Sequence, residues 1–582
     1  MNELNKDDAE RKQVTVLFAD VSGSMDLAEH EDPEEWRKIM QRFFSLLAGS
    51  VNRFEGTVDK FTGDGIMAIF GAPVAHEDHA QRACYAALRM LDDVAAYAAE
   101  LRRAKGLNFS TRIGINSGEV VAGAIGEGSY TAIGHTVGLA QRMETLAEPG
   151  RAYLTEHAAE LARGFLDLRD LGEFEIKGAS RPVQVFELAG VGQARTRLDL
   201  AAERGFSRFV ARERELERLQ AALRRAGEGE AGAVGVVAEP GIGKSRLYHE
   251  FVQRCRSEGT EVFEAQGQAH GKSIPFMPIL QMLRAFFGIE DGDSEQTARE
   301  KIAGRALLLD ASFAEDLPLL FDFLGVPDPD RPVPQMSPEA RQRALGEVLC
   351  KLVGNPSRKK TLMLVFEDLH WVDEGSQAML SGLIDGFGGT RTLVLANYRP
   401  EYTPPWADDP CWQALELAPL RREDTRELLR DLAGDDPSLD GLDEPIHERT
   451  AGNPFFIEEI VRELAESGYL VGERGAYRLA RPIEGARVPV TVQAVLAARI
   501  DRLDPDSKQL LQVASVLGKE VSGEALAMAA ELDEEEMDRA LGELTDGGFL
   551  YEAEIYPQRL LAFRHPLTRE VAYGTQLAEQ RA

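Results

Sequence analysis

Lys60-Phe61-Thr62-Gly63-Asp64-Gly65 decides how the first part of the chain folds. Thr57-Val58-Asp59-Lys60-Phe61 leads into it and Ile66-Met67-Ala68-Ile69-Phe70 leads out. Both runs are short and β-forming, so Thr62 to Gly65 reads as the turn of a hairpin. Upstream, Val14-Thr15-Val16-Leu17-Phe18-Ala19 reads as a buried strand that ends in Asp20, and Val21-Ser22-Gly23-Ser24-Met25 as a turn opening a helix. Each apolar run thus leaves an aspartate at its end. Alone, Asp20 suits a helix N-cap and Asp64 a turn. As a pair they offer the carboxylate oxygens that a hard divalent cation requires.

The intervening segments support this reading. Trp36, Ile39, Met40, Phe43, Phe44, Leu47 and Val51 recur at spacings of three and four, which predicts a helix over Glu34 to Phe54 ended by Gly56. A second helix is expected from Asp78 to Arg103. Thr111 to Asn116 reads as a strand, and Val120 to Ile125 as its partner across a Ser117-Gly118 turn. The element order β-α-β-β-α-β is the ferredoxin-like pattern with appendages.

The 582 residues suffice for several domains at roughly 100–200 residues each. A net charge of −31 opposes binding to DNA or anionic membrane, since phosphate contacts demand positive charge. Cys84, Cys255, Cys350 and Cys411 are far apart and lack metal-ligand spacing, as expected of reduced thiols. No apolar run approaches a membrane span, and Met1 to Asp8 is polar and acidic, unlike a signal peptide. A cytoplasmic location is expected.

Four motifs occur in order: Phe18-Ala19-Asp20-Val21, Lys60-Phe61-Thr62-Gly63-Asp64, Arg112-Ile113-Gly114-Ile115-Asn116-Ser117-Gly118, and Tyr130-Thr131-Ala132-Ile133-Gly134 running on to Arg142-Met143-Glu144. Together they resemble the catalytic domain of class III adenylyl/guanylyl cyclases, over residues 1–190. The resemblance implies attack of a ribose 3′-hydroxyl on the α-phosphorus of a nucleoside triphosphate, with two Mg²⁺ or Mn²⁺ ions per site on Asp20, Asp64 and Val21. It implies that Lys60 and Thr131 read the base. A lysine donor beside a threonine that accepts from an amino group favours ATP, and threonine there is also similar to the subgroup that includes bicarbonate-responsive cyclases. Arg142 is implied to stabilise charge on the transferring phosphate and Arg112 to hold the terminal phosphates, with Lys177 a further cation. The family draws its metal carboxylates and its base readers from different subunits, so a homodimer is implied. One position departs: four residues before Arg142, where the family usually carries an asparagine that orients the ribose, stands Gly138. Loss of a positioned donor costs about 10²–10³ in rate. The domain is therefore expected to be an active but slow cyclase, with a binding-only module as the alternative.

Residues 191–205 read as a polar, alanine-rich linker. Ala233-Val234-Gly235-Val236-Val237 then reads as a strand, followed by Ala238-Glu239-Pro240-Gly241-Ile242-Gly243-Lys244-Ser245 and a helix from Arg246. That is a Walker A loop in its proper setting. Backbone amides around Gly241 and Gly243 cradle phosphates, Lys244 meets the β/γ oxygens, and Ser245 meets Mg²⁺. Thr361 to Phe366 is a buried strand ending in Glu367-Asp368, the Walker B pair, of which one carboxylate supports Mg²⁺ and its neighbour activates water. A further strand ends at Arg399, which fits either a γ-phosphate sensor or a surface arginine. Gly452-Asn453-Pro454-Phe455 opens a helix. With the Walker motifs it resembles the signal-transduction ATPases of the AAA/STAND group, where such a proline packs near the nucleotide.

The remaining helices (Leu496 to Leu503, Lys508 to Leu517, Glu534 to Leu544) and the hairpin of Phe549 to Ala553 with Leu560 to Arg564 predict a winged-helix fold. Its acids, Asp533, Glu534, Glu535 and Glu536, favour an unidentified protein partner over DNA. The expected architecture is multidomain α/β: a ferredoxin-like α+β cyclase domain (1–190), the linker (191–205), a P-loop NTPase α/β domain (206–435), a helical subdomain (436–490) and a winged-helix-like domain (491–582). The expected function is an adenylyl cyclase regulated by an ATP- and Mg²⁺-binding module. The alternative is a nucleotide-dependent switch in which the P-loop domain alone turns over.

Overall fold

The computed structural model describes residues 9–125, 129–177, 181–192, 196–267, 275–290, 292–357, 360–483, 489–530, 532–554 and 560–581. The acidic stretch Met1 to Asp8 and part of the expected linker, residues 193–195, lie outside them. The chain forms two compact units, one of residues 1–207, 429–452 and 456–582, the other of residues 208–428 and 453–455.

In the first unit the chain runs β1 (Glu10–Val21), α1 (Ser24–His30), α2 (Pro33–Arg53), β2 (Thr57–Phe61), β3 (Gly65–Phe70), α3 (His79–Lys105), β4 (Thr111–Ile125), β5 (Ser129–Ile133), α4 (His135–Leu146), β6 (Ala152–Thr155), α5 (Glu156–Ala162), β7 (Leu166–Phe174) and β8 (Val183–Val191). The strands build one sheet in the order β2-β3-β1-β4-β6-β8-β7, with β5 folded back on β4. The run β2-β3-β1-β4 has the ferredoxin-like order, β1 pairing antiparallel with both β3 and β4. Strand alternation gives β1 two apolar faces. Leu17, Ala19 and Val21 pack with Ile39, Phe43 and Leu47 of α2 and Met90 of α3. Val14, Val16 and Phe18 pack on the opposite face with Met67, Val120 and Ala140 of α4. Each such fully buried side chain contributes roughly 1.5–3 kcal/mol.

One expected turn is absent. Residues 111–125 are a single strand, with Thr111 to Ala122 in unbroken register on β1. Gly118 is extended, and a Cβ there would lie 2.8 Å from Thr136 Oγ1. The glycine admits α4 against the strand and does not reverse the chain. Gly114 does the same more tightly: its Cβ would meet the Glu144 amide at 1.9 Å.

The C-terminal part of this unit has helices at Val490–Ile500, Pro505–Leu517, Glu534–Asp546 and Pro566–Thr575. A three-stranded antiparallel sheet runs with them, in the order Glu520–Ser522, Leu560–Phe563, Leu550–Glu554. Buried ion pairs join this part to β1. Lys12 Nζ lies 2.6 Å from Asp501 Oδ2, and Lys508 Nζ lies 2.8 Å from both Asp501 and Glu10.

The second unit holds a parallel sheet, β10-β11-β12-β9-β13, from β9 (Gly232–Val237), β10 (Glu261–Gln266), β11 (Leu362–Glu367), β12 (Thr392–Tyr398) and β13 (Trp412–Glu416). Its central strands are apolar on both sides, as a sheet covered by helices on both faces requires. No helix among the described residues is long and apolar enough to cross a membrane.

Candidate functional site

The first cluster sits at one end of β1, β3 and β4. Asp20 lies opposite Gly65 in one ladder and Arg112 in the other. A Cβ on Gly65 would stand 2.2 Å from the Ala19 carbonyl, so only glycine lets the hairpin turn close on β1 and bring Asp64 beside Asp20. The Val21 amide donates to the Asp64 carbonyl, which fixes the approach. Ser24 Oγ donates to the Asp64 carboxylate. Arg112 donates to both Asp20 oxygens, at 2.8 and 3.3 Å, and its guanidinium lies 3.0 Å from Glu144.

Glu144 was quoted within a motif but given no role by the sequence reading. Burial first, then the Asp20 carboxylate beside it, pushes its pKa up to about 8. Its Oε1 is buried and faces the Arg112 guanidinium as an ion pair at 3.0 Å. Asp20 and Asp64 carry the hard carboxylate oxygens that a divalent cation such as Mg²⁺ or Mn²⁺ takes, although among the described residues no group of three or more metal-ligating side chains is poised to hold a metal ion. What hid Glu144 is that its approach depends on Gly114, which lets α4 touch β4.

A second group lies on β2 and β5. Thr131 is buried, and its Oγ1 donates to Asp59 Oδ2 at 2.7 Å, while Lys60 is exposed beside it. Arg142 and Gly138 are both exposed on α4, whereas Thr136, Ala140, Met143 and Glu144 face inward. Lys177 is exposed as well. Among the described residues no hydrogen bond or ion pair joins Lys60, Thr131, Arg142 or Lys177 to Asp20 or Asp64. The structure therefore gathers Asp20, Asp64 and Arg112, and separately Thr131 and Asp59, the sequence neighbour of Lys60.

In the second unit, β9 runs into the Walker loop and Gly243 caps the helix Lys244–Ser257. Lys244 is buried, and Nζ donates to the Ala238 and Glu239 carbonyls at 2.7 and 3.2 Å. Burial depresses its pKa to about 8 against the opposing pull of Asp368. Glu367 ends β11 half-buried, and the burial of its carboxyl pushes the pKa up to about 7 although Ser245 donates to it. Asn397 of β12 bridges the Walker B pair. Its Nδ2 donates to Glu367 at 3.2 Å, and its Oδ1 accepts the Asp368 amide at 2.8 Å. Arg399 is 7% exposed, which removes the surface-arginine reading, and its guanidinium lies 5.6 Å from the centre of the Trp371 ring.

Two further features brace the Walker loop. Arg212 is buried and donates to the Ile242 and Ala418 carbonyls at 3.1 and 2.8 Å, which braces the Walker loop. Asn453 Nδ2 donates to the Pro240 carbonyl at 2.9 Å, and the Phe455 amide to the Gly241 carbonyl at 3.3 Å. These partners lie too far along the chain for any local pattern to reveal them.

With this geometry in hand the comparisons are specific. Residues 7–190 match the family of adenylate and guanylate cyclase catalytic domains, and residues 208–395 match the AAA ATPase domain family. The chain carries a cyclase catalytic domain followed by an AAA ATPase domain. An uncharacterised protein of Rhizobium meliloti is 24% identical over 98% of this chain and 55% of its own length. Adenylate cyclase 1 of the same organism is 33% identical over 32% of this chain and 28% of its own. The chain thus spans about half the length of one relative and under a third of the other. Among solved structures, the adenylyl cyclase CyaB from P. aeruginosa is 30% identical, covering 32% of this chain and 97% of that one, with a TM-score of 0.30. The guanylyl cyclase Cya2 is 30% identical with a TM-score of 0.31, covering 32% of this chain and 98% of that one.

Proposed function

We propose that this chain converts ATP to cyclic AMP and pyrophosphate at a site completed by a second copy, under control of its ATP-binding AAA domain in intracellular signalling. The observation that carries the reading is the gathering of Asp20, Asp64 and Arg112 around the turn at Gly65. Asp20, Asp64 and the Val21 carbonyl would hold the divalent cations, which when bound lower the pKa of the 3′-hydroxyl and neutralise phosphate charge. Arg112 exchanges Asp20 and Glu144 for the terminal phosphates of the substrate. Lys60 donates to the purine edge and Thr131 accepts from the adenine amino group. Exposed Arg142 reaches the α-phosphate of the site on a partner copy, where charge builds in the transition state. This division of labour makes a homodimer with two sites the functional form. In the AAA domain, Lys244 would exchange the loop carbonyls for the β/γ-phosphates of bound ATP, Ser245 with Asp368 or Glu367 would hold Mg²⁺, and the other carboxylate would activate water. Arg399 then senses the γ-phosphate.

Incubation of the full chain with ATP and Mn²⁺ or Mg²⁺ tests the proposal. Cyclic AMP is expected, with loss of at least 10²-fold in Asp64→Ala, since the substitution removes a charge that stabilises the transition state. Absence of cyclic AMP at high enzyme concentration would refute it. The second reading, a cyclase fold that only binds nucleotide, is favoured by Gly138. It predicts that Lys244→Ala alters the protein's output and Asp64→Ala does not.

A further inference from the structure

Asp59 occupies an unusual place in its strand. The β2–β3 ladder pairs Val58 with Ala68 and Lys60 with Met67, so Asp59 is the extra residue of a bulge. A bulge turns a side chain away from the alternation of its strand. Here it coincides with a side chain that meets β5, a strand not adjacent to β2 in the sheet, where it accepts the hydrogen of Thr131 Oγ1 at 2.7 Å. Thr131 is 7% exposed and Asp59 is half-buried, so the bond is shielded from water on the threonine side.

A hydroxyl has one proton to donate and two lone pairs. A carboxylate can only accept, so the threonine proton is committed to Asp59. What Thr131 has left to present is acceptor only. Lys60, next to Asp59 in sequence, is donor only. As the two base readers of the proposed site they therefore offer one donor and one acceptor. The adenine edge answers with an acceptor at N1 and a donor at the 6-amino group. Guanine carries the reverse, a donor at N1 and an acceptor at O6, and meets two mismatched contacts.

We infer that Asp59 is a positioning residue that sets purine specificity by locking the Thr131 hydroxyl as a hydrogen-bond acceptor. The inference rests on the reading of Lys60 and Thr131 as base readers. Without Asp59 the hydroxyl rotates freely, donates to guanine O6 as readily as it accepts from adenine, and one of the two mismatches disappears. A site built to pair with one edge rejects the other because buried polar groups would go unpaired. A single neutral hydrogen bond gained or lost corresponds to a change of about tenfold.

The test compares kcat/KM for ATP and for GTP in the full chain, in Asp59→Ala, Thr131→Val and the double variant. Asp59→Ala is expected to lower the ATP-to-GTP ratio about tenfold, with GTP turnover rising. Thr131→Val is expected to lower ATP turnover and raise GTP turnover, because the locked hydroxyl opposes guanine. Asp59→Ala added to Thr131→Val is expected to change the ratio no further, since Asp59 acts through that hydroxyl. Equal losses for both substrates in Asp59→Ala, or a further ratio change in the double variant, would mean a simple staple between β2 and β5 and would overturn the inference.

A second readout separates this inference from the cyclase reading. Equilibrium binding of fluorescent ATP and GTP analogues is measured with Lys244→Ala as background, so that the Walker site does not contribute. If no cyclic nucleotide forms from either substrate but Asp59→Ala still shifts the ATP-to-GTP binding ratio, the cyclase reading falls and the role of Asp59 stands. An unchanged binding ratio sinks the role of Asp59 whatever the turnover.

Discussion

Gly138→Asn is expected to raise cyclic AMP formation by about 10²-fold, the usual worth of one donor aimed at a reacting group. The structure makes this a clean substitution. Gly138 is the fourth residue of α4, is exposed, and a Cβ placed on it meets no atom within 4 Å. Its backbone is helical, so no strain attends the new side chain. It stands one turn before Arg142 on the same exposed face, so its side chain would project alongside the arginine. Any added side chain also stabilises the helix, because glycine is about 1 kcal/mol worse than alanine at such a position. Gly138→Ala supplies that control: it is expected to raise stability by up to about 1 kcal/mol and leave kcat unchanged. The assay is initial-rate cyclic AMP formation at saturating ATP and Mn²⁺, with thermal melts of all three proteins. A rise in kcat of the same size for Ala and Asn would refute the donor argument, since helix stability alone would then explain it. No rise for Asn would refute the reading of α4 as a ribose-facing element.

Three further outcomes follow from the geometry. Asp501→Ala removes the carboxylate shared by buried Lys12 and half-buried Lys508 and leaves Glu10 as their remaining partner, so the loss is expected to stay below the roughly 3–5 kcal/mol of an uncompensated buried pair, read as a lowered denaturation midpoint. The two lysines hold the Asp501 carboxyl below its ordinary range although burial opposes them. Its contribution is therefore present above the unfolded pKa and lost as pH falls through the folded one, and acid titration of wild type against Asp501→Ala should show the difference vanish at low pH. Glu367, pushed up to about 7, gains its charge as pH rises through neutrality, so ATP hydrolysis should climb across pH 6–8 and fall by about 10²–10⁴ in Glu367→Gln; a flat pH profile would assign water activation elsewhere. Gly65→Ala forces the turn off β1 by a 2.2 Å clash with a backbone oxygen, and should abolish cyclic AMP formation while ATP hydrolysis at the Walker site persists.

How far the sequence could be read depended on how local each signal was. The hairpin around Asp64, the strand into Asp20 and the Walker A loop are each written in fewer than twenty consecutive residues. Their chemistry needs only residue type and spacing. Ser117-Gly118 misled because a glycine after a serine is a common turn signal, yet here the glycine serves the close packing of α4 on an unbroken strand. Arg399 left two readings open because exposure is a property of the folded chain; the structure buries it. Glu144 and Asn453 stand in recognisable motifs, yet their partners, like those of Arg212, could not be read, since each acts through a residue distant in sequence.

The sequence alone determined that this chain has a pair of aspartates at the ends of neighbouring strands in a ferredoxin-like domain and a Walker A loop in a parallel α/β domain. Those follow from backbone geometry and charge over short stretches. Tertiary structure alone decided that Arg112 and Glu144 meet Asp20, that Lys12 and Lys508 clasp Asp501, and that the bulged Asp59 takes the proton of Thr131. Hydrogen bonds and ion pairs act over a few ångströms, whereas these partners are separated by tens to hundreds of residues along the chain. Only the packing of strands and helices brings them within reach.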